Sequence, residues 1–206
     1  MKYHRAIAML IAVIVSACGS SAPTRYYTLN SVGPVAVGRY RPSGSPVVIE
    51  KVVLPAILDR PQLVRRLSAN QLDVDELDRW AAPLDNLAQN VLALDLAARM
   101  PSGAVIQPGQ PIPSGAIRRI SVDLTTFEAD LAGNVVLRAQ WTIETANADS
   151  ESEPTSHSEY ITVQAGTNSA DAVAAGMSQA LSELADRMAA DLGQTDGDYS
   201  SNHGNG

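Results

Sequence analysis

Hydrophobic and polar residues alternate along the C-terminal half of the chain. Apolar residues take every second position from Ile120 to Leu124 and again from Val135 to Ile143. Side chains in a strand point to opposite faces in turn, so each run predicts a strand with one buried face. Gly133 and Asn134 separate the runs as a hairpin turn would. A third strand around Ile161 would complete an antiparallel meander.

Two segments have the three- and four-residue spacing of amphipathic helices. The first starts after Pro83, which suits a first turn, and Pro101 stops it. The second runs from about Ser169 to Leu192, with Asn168 or Ser169 as its cap, and should cover one face of a sheet. The two stripes comprise Leu84, Leu87, Ala88, Val91, Leu92 and Leu94, then Val173, Met177, Leu181, Leu184, Met188 and Leu192.

Shorter apolar runs predict strands in the N-terminal half. Tyr26–Leu29 favours a strand, and Val47–Leu54 suits a central strand that is buried on both faces and ended by Pro55. Gln62–Leu67 and Val105–Ile106 are two further strand candidates. The pattern thus predicts both strands and helices along the chain.

The first 17 residues have the features of an export signal. Lys2 and Arg5 precede an apolar run from Ala6 to Val15, which as a helix would rise about 15 Å, half of a hydrocarbon core. The sequence Val-Ser-Ala-Cys at residues 15–18 then resembles the bacterial lipobox, whose cysteine receives acyl chains. We therefore expect a signal peptide at 1–17 and lipidation of Cys18.

The residue after the lipidated cysteine indicates which of the two membranes the anchor occupies. Lipoproteins kept at the inner membrane typically carry Asp there, whereas this chain has Gly19, so we expect an outer-membrane anchor facing the periplasm. Residues 18–24 are small and polar and predict a flexible leash. One domain should follow at 25–192, and residues 193–206, without branched apolar side chains, predict a disordered tail.

The mature part is acidic and lacks the residue sets of common active sites. Without the two basic residues of the signal it has 13 basic and 22 acidic residues, a formal charge of −9, which argues against nucleic acid as a partner. Two of three histidines lie in the signal and the tail, leaving His157, interpreted as a surface residue. The carboxylate pairs, among them Asp73 with Asp75, Glu76 with Asp78 and Glu151 with Glu153, are interpreted as solvated charge. We predict no catalytic residue, no metal and no cofactor.

Few large aromatic residues are present. Trp141 lies on an alternating apolar face, which predicts core packing. For Trp80, core packing is the first interpretation and a partner hot spot the second.

The order and spacing of these features resemble the ABC-type transport auxiliary lipoprotein family, of the PqiC/YmbA type. No single piece is specific to that family. The resemblance covers most of the mature chain and rests on Cys18; Tyr26, Tyr27 and Leu29; Val47–Leu54 with Pro55 and Leu58; Trp80, Ala81, Pro83 and Leu84; Val122, Phe127, Gly133 and Trp141; and the Ala/Ser-rich last helix. The stretch from Ala69 to Arg79 is more acidic than the family pattern.

The resemblance implies both a fold and a role. The fold would be a single α/β domain with a mixed sheet and helices packed on it. The role would be a non-enzymatic accessory subunit that docks an MCE-domain transport protein at the outer membrane and helps to move phospholipid or other hydrophobic molecules between membranes. Homo-oligomerisation to match a ring-shaped partner would fit that role.

Two other functions stay open at this point. The first is a stand-alone envelope lipoprotein that binds a small hydrophobic ligand. The second is a lipid-active hydrolase, which would need a base near a nucleophile, and His157 is the candidate base.

Overall fold

The described part of the chain folds into one mixed sheet of eight strands with two helices on one face. The structure is a computed structural model that describes residues 22–33, 45–100, 104–146 and 153–202. The elements are β1 (Arg25–Tyr27), β2 (Val47–Val53), β3 (Gln62–Ser68), β4 (Gln71–Trp80), α1 (Leu84–Arg99), β5 (Val105–Ile106), β6 (Ile117–Asp130), β7 (Asn134–Ala146), β8 (Thr155–Gln164) and α2 (Ala170–Asn202). The predicted α/β class, mixed sheet, antiparallel meander and two main helices are confirmed.

Strand β6 is the centre of the sheet. Strand β7 pairs antiparallel along its whole length on one edge. On the other edge β2 pairs with the first half of β6, and β3 pairs near its end, at Arg65 and Arg66. Both strands are parallel to β6, and the 3₁₀ turn Ala56–Leu58 joins them. Strands β2 and β3 therefore lie end to end beside one long neighbour.

The remaining strands extend the sheet outward. Strand β4 pairs antiparallel with β3, and β1 adds parallel to β4. Strand β5 adds parallel to β2, while β8 pairs antiparallel with β7. Strands β1 and β8 consequently lie at opposite edges.

The core fills the space between the sheet and the helices. Helix α1 packs over β2 and β5, and α2 packs over β6, β7 and β8 and contacts α1. The largest fully buried side chains are Trp141, Phe127, Ile49, Leu63, Leu92, Leu96, Ile120, Leu124, Leu137, Leu181, Leu184 and Met188. All six predicted stripe residues of α2 are buried, and Ser169 Oγ accepts a hydrogen bond from the Ala172 N–H as a helix cap should.

Three predictions about elements need correction. Leu94 of the α1 stripe is 49% exposed, because the buried face of α1 continues through Leu92 and Leu96 instead. Strand β2 is buried on both faces only at its start, where Val48 joins a small cluster on the other face. The last helix does not end near Leu192, since its backbone stays helical to Asn202. No proline follows Leu192, and extending an established helix is far easier than starting one.

Candidate docking surface

An ion pair holds β1, the first strand of the folded domain, against β4. Cys18 lies outside the described residues, and residues 22–24 are exposed and precede β1. Arg25 Nε donates to Asp78 Oδ1 at 2.6 Å, and the Tyr27 hydroxyl donates to the same oxygen at 3.2 Å. Asp78 is only 3% exposed. Burial, and then the Asp78 carboxylate, raise the pKa of Tyr27. The end of the leash is thereby fixed to β4.

The acidic hairpin β3–β4 is more ordered than its composition suggests. Arg65 Nη2 lies 3.2 Å from Asp73 Oδ2 and 3.3 Å from Asp75 Oδ2. Backbone N–H groups, Leu77 first, and the Arg65 guanidinium lower the pKa of Asp75. The interpretation of these carboxylates as solvated charge is wrong for the buried Asp78 and incomplete for Asp73 and Asp75, because arginines on neighbouring strands were not visible as partners in the sequence.

A buried carboxylate on α1 holds the segment that follows β1. Asp95 is fully buried, and its Oδ1 accepts from the Ser31 hydroxyl at 2.5 Å and from the Gly33 N–H at 2.9 Å. Arg99, one turn along the helix, contacts Asp186 and Ser182 on α2. Sequence reasoning missed this cluster. The available signal was an acidic residue four positions after Val91, on the apolar face of the helix.

The sheet face opposite the helices is polar over β6, β7 and β8. A shallow, open depression of about 430 Å³ lies there, lined by Thr125, Arg138, Ala139, Gln140, Ser158, Glu159 and Tyr160. The Arg138 guanidinium lies 4.6 Å from the centre of the Tyr160 ring, and Tyr160 is 56% exposed. A polar, open surface of this kind suits contact with a protein better than enclosure of an apolar molecule.

Strand β8 has an outer edge that pairs with no other strand among the described residues. We call this the free edge, Thr155–Gln164. The Ala165 N–H donates to the Gly133 carbonyl in the β7–β8 register, so odd-numbered residues of β8 turn their backbone groups toward β7. Even-numbered residues, Ser158, Tyr160 and Thr162 among them, therefore turn theirs outward. Ten residues of regular strand with exposed donors and acceptors form a surface to which another strand can add.

His157 does not behave as a lone surface histidine. Its ring stacks on Trp141 with centroids 5.4 Å apart and an interplanar angle of 9°. Its Nδ1 lies 3.1 Å from Asp191 Oδ2 on α2. The interpretation of His157 as a lone surface residue is incomplete, because its side chain is 28% exposed but β8 turns it toward Trp141 and toward Asp191 of α2.

The two tryptophans lie in the core as predicted. Trp80 is 5% exposed and Trp141 is 2% exposed. The indole Nε1 of Trp141 is buried and makes no hydrogen bond within the described residues. Tyr26, by contrast, is 66% exposed on edge strand β1.

The described residues contain neither a cluster of metal-ligating side chains nor a helix that could span a membrane. No group of three or more His, Cys, Asp or Glu side chains is arranged to hold a metal ion in these segments. Neither described helix combines the length and the hydropathy of a membrane span.

These features define a single-domain α/β protein with a strand edge and a polar sheet face that no other described element covers. The chain belongs to the family of ABC-type transport auxiliary lipoprotein components, whose model matches residues 27–189. The resemblance found in the sequence is therefore confirmed. The search of curated proteins gives no match.

Solved structures share the fold. The crystal structure of an uncharacterised protein is 19% identical and has a TM-score of 0.66, covering 83% of this chain and 99% of its own. Protein XCC0632 from Xanthomonas campestris, of family DUF330, is 18% identical with a TM-score of 0.59, covering 87% of this chain and 99% of its own. Likeness at these identities establishes the fold alone.

Proposed function

We propose that this chain is a lipid-anchored periplasmic accessory subunit of an MCE/ABC-type intermembrane lipid transport system. Acyl chains on Cys18 anchor it in the outer membrane, and its folded domain docks the MCE-domain protein of the transport conduit. The observation that carries the proposal is a lipobox cysteine nine residues ahead of a domain of the transport auxiliary family.

The positions of the anchor and the free edge support this role. The leash joins β1 at one edge of the sheet, and the free edge of β8 lies at the opposite edge. Five strand spacings separate them along β1, β4, β3, β6, β7 and β8, about 24 Å at roughly 4.8 Å per spacing. A partner on β8 therefore does not compete with the anchor.

We propose no enzymatic role. The family is a transport auxiliary component, and His157, the one candidate base, is stacked on Trp141 beside Asp191. The rival role, binding of a small hydrophobic ligand by a stand-alone lipoprotein, gains no support from the polar depression beside Tyr160.

The anchor is tested by Cys18→Ala. Mass spectrometry of the wild-type protein should find acyl groups on Cys18, and the variant should fold but leave the outer-membrane fraction. A wild-type protein without acyl groups, or a variant that stays in that fraction, would contradict the anchor.

Docking is tested in the same envelope preparation by cross-linking and affinity capture. The wild-type protein should capture an MCE-domain protein. Thr162→Pro removes an outward N–H of β8 and should reduce capture strongly, while Thr162→Ala, which keeps that N–H, should not. Wild-type capture without an MCE component would contradict the proposal, and capture of this same chain alone would indicate a homo-oligomer instead.

A further inference from the structure

Three connections meet at one end of the sheet. Strand β3 pairs with the end of β6 through Arg66 and Asp130, which places the β3–β4 turn beside the β6–β7 turn. The segment between β8 and α2 joins them, because Arg65 Nη1 donates to the Asn168 carbonyl at 2.9 Å. We call this the tip end and define it as Leu67–Asn70, Leu131–Ala132 and Gly166–Ser169.

The tip end is exposed, uncharged and carries two leucines. Leu67, near the end of β3, is 37% exposed, and Leu131, directly after β6, is 46% exposed, although both strands have better-buried apolar residues. None of the ten tip residues is charged, whereas the mature chain as a whole carries a charge of −9. Two charged residues next to the tip end already have partners in the fold. Arg66 forms an ion pair with Glu128, and Asp130 accepts hydrogen bonds from backbone N–H groups of the turn that follows it.

The leash comes from the direction of the tip end. Strand β4 starts at the β3–β4 turn and runs away from it, and β1 runs parallel to β4. The residues before Arg25 therefore lie on the tip side of β1.

The length of the leash limits how far the tip end can be from the anchor. Arg25 pairs with Asp78, level with the start of β3. From Leu63 to Ser68 the strand advances five residues, about 17 Å at roughly 3.3 Å per residue. Seven residue steps from Cys18 to Arg25 can span about 25 Å at most. A fully extended leash thus reaches at most about 8 Å beyond the tip end.

We propose that Leu67 and Leu131 form a second membrane contact, with the tip end resting on the bilayer that holds the acyl chains of Cys18. This inference rests on the proposed acylation. The occupant of the tip end is a zwitterionic phospholipid surface, because the ten tip residues offer apolar and neutral hydrogen-bonding groups, and Arg66, which donates to the Ser68 and Ala69 carbonyls, is neutralised by its ion pair with Glu128. The domain would then stand with β6 pointing its last residues toward the membrane.

The contact is tested with the acylated full-length protein on phosphatidylcholine vesicles. Because Cys18 is the one cysteine of the chain and its thiol would carry lipid, a cysteine introduced by Leu131→Cys or Leu67→Cys is the sole free thiol for an environment-sensitive fluorophore. Ile112→Cys, 49% exposed in the connection that precedes the opposite end of β6, is the matched control. Probes at 67 and 131 should shift to the blue and lose intensity to nitroxide-labelled lipid, and the probe at 112 should do neither.

Each other outcome overturns the inference. Equal responses at the three positions would show that the tip end is not oriented toward lipid. A blue shift at 131 without quenching by lipid would show a protein contact in its place. Failure of the protein to float with the vesicles would contradict the anchor itself, and so is distinguishable from failure of the second contact alone.

A second measurement needs no probe. The double variant Leu67→Gln and Leu131→Gln should transfer between vesicles faster than the wild type, by roughly tenfold for each leucine removed from the lipid. Leu94→Gln, which changes a somewhat more exposed leucine on α1, should transfer at the wild-type rate. Equal rates for the two variants would contradict the proposal.

Discussion

Asp130 is the residue that shapes the β6–β7 turn. Its Oδ1 accepts from the N–H groups of Ala132 at 2.8 Å and Asn134 at 2.9 Å, and its Oδ2 accepts from the Asn134 side chain at 2.8 Å. These hydrogen bonds, the one from the Asn134 side chain first, lower the pKa of Asp130. A lowered pKa in the folded state stabilises the fold above the unfolded value near 4, and this gain is lost as the pH falls through the lowered pKa.

We therefore expect Asp130→Ala to lower the free energy of unfolding by about 1 kcal/mol at pH 7, a low figure because the residue is partly exposed. Near pH 2 the difference from wild type should shrink. Urea unfolding at both pH values measures it, with the exposed Asp123→Ala on the same strand as control. A loss that is independent of pH, or the same for both variants, would show that the turn does not depend on this carboxylate.

The positions of single side chains were predictable from the sequence where hydrophobicity alone determines whether the side chain is buried. Trp141 lies on an alternating apolar face, and both its burial and that of Trp80 follow from hydrophobicity. His157 and Asp95 were not predictable, since each is placed by a polar partner distant in the chain, Asp191 for the first and Ser31 for the second. Polar burial depends on such partners, which a local pattern does not contain.

At the scale of elements, Gly176 is a position where helix α2 packs tightly against the sheet. A Cβ there would lie 2.9 Å from Val135 Cγ2 and 3.0 Å from Ala165 Cβ. Alanine favours a helix over glycine by about 1 kcal/mol, but the overlap with Val135 of β7 and with Ala165, directly after β8, should cost more. We expect Gly176→Ala to destabilise the fold by about 1 to 2 kcal/mol.

Gly193, on the same helix, is the matched control. A Cβ at this position has no atom within 4 Å, so Gly193→Ala should leave stability unchanged or raise it by a few tenths to about 1 kcal/mol. Thermal unfolding followed by circular dichroism compares the two variants. Stabilisation by both would mean that α2 can move away from the sheet at Gly176.

Strands and helices were predictable from the sequence only as far as one hydrophobic periodicity continues without interruption. The alternation from Ile120 to Leu124 is interrupted by an irregularity between Leu124 and Thr126, after which Phe127 and Ala129 are the buried apolar positions. A bulge shifts the alternation by one residue, so the second half of β6 did not stand out in the sequence. The candidate docking surface was equally hidden, because strand order decides that β8 is an edge and local pattern does not.

At the scale of the whole molecule, the proposed role requires that the domain be one rigid folded unit between its anchor and its partner. A partner on the free edge of β8 and an anchor attached through β1 act on opposite edges of the sheet. The buried side chains of both halves, from Leu29 and Trp80 on the anchor side to Trp141 and Ile161 near the free edge, belong to one contiguous hydrophobic cluster. One core for all elements predicts that the domain unfolds as a unit.

The two tryptophans give a direct measurement of that unity. In Trp141→Phe the remaining Trp80 reports on β4, and in Trp80→Phe the remaining Trp141 reports on β7, three strands away. Each substitution should lower stability modestly, by about 1 to 2 kcal/mol, since a smaller ring leaves a partly filled space. Within each variant, the denaturant midpoint from tryptophan fluorescence should equal the midpoint from far-ultraviolet circular dichroism, because one core unfolds at once. If Trp80 fluorescence changed at a lower denaturant concentration than the circular dichroism of the same variant, the part of the sheet next to the anchor would unfold first. The sheet could then not transmit the force of a partner bound to β8 to the lipid anchor.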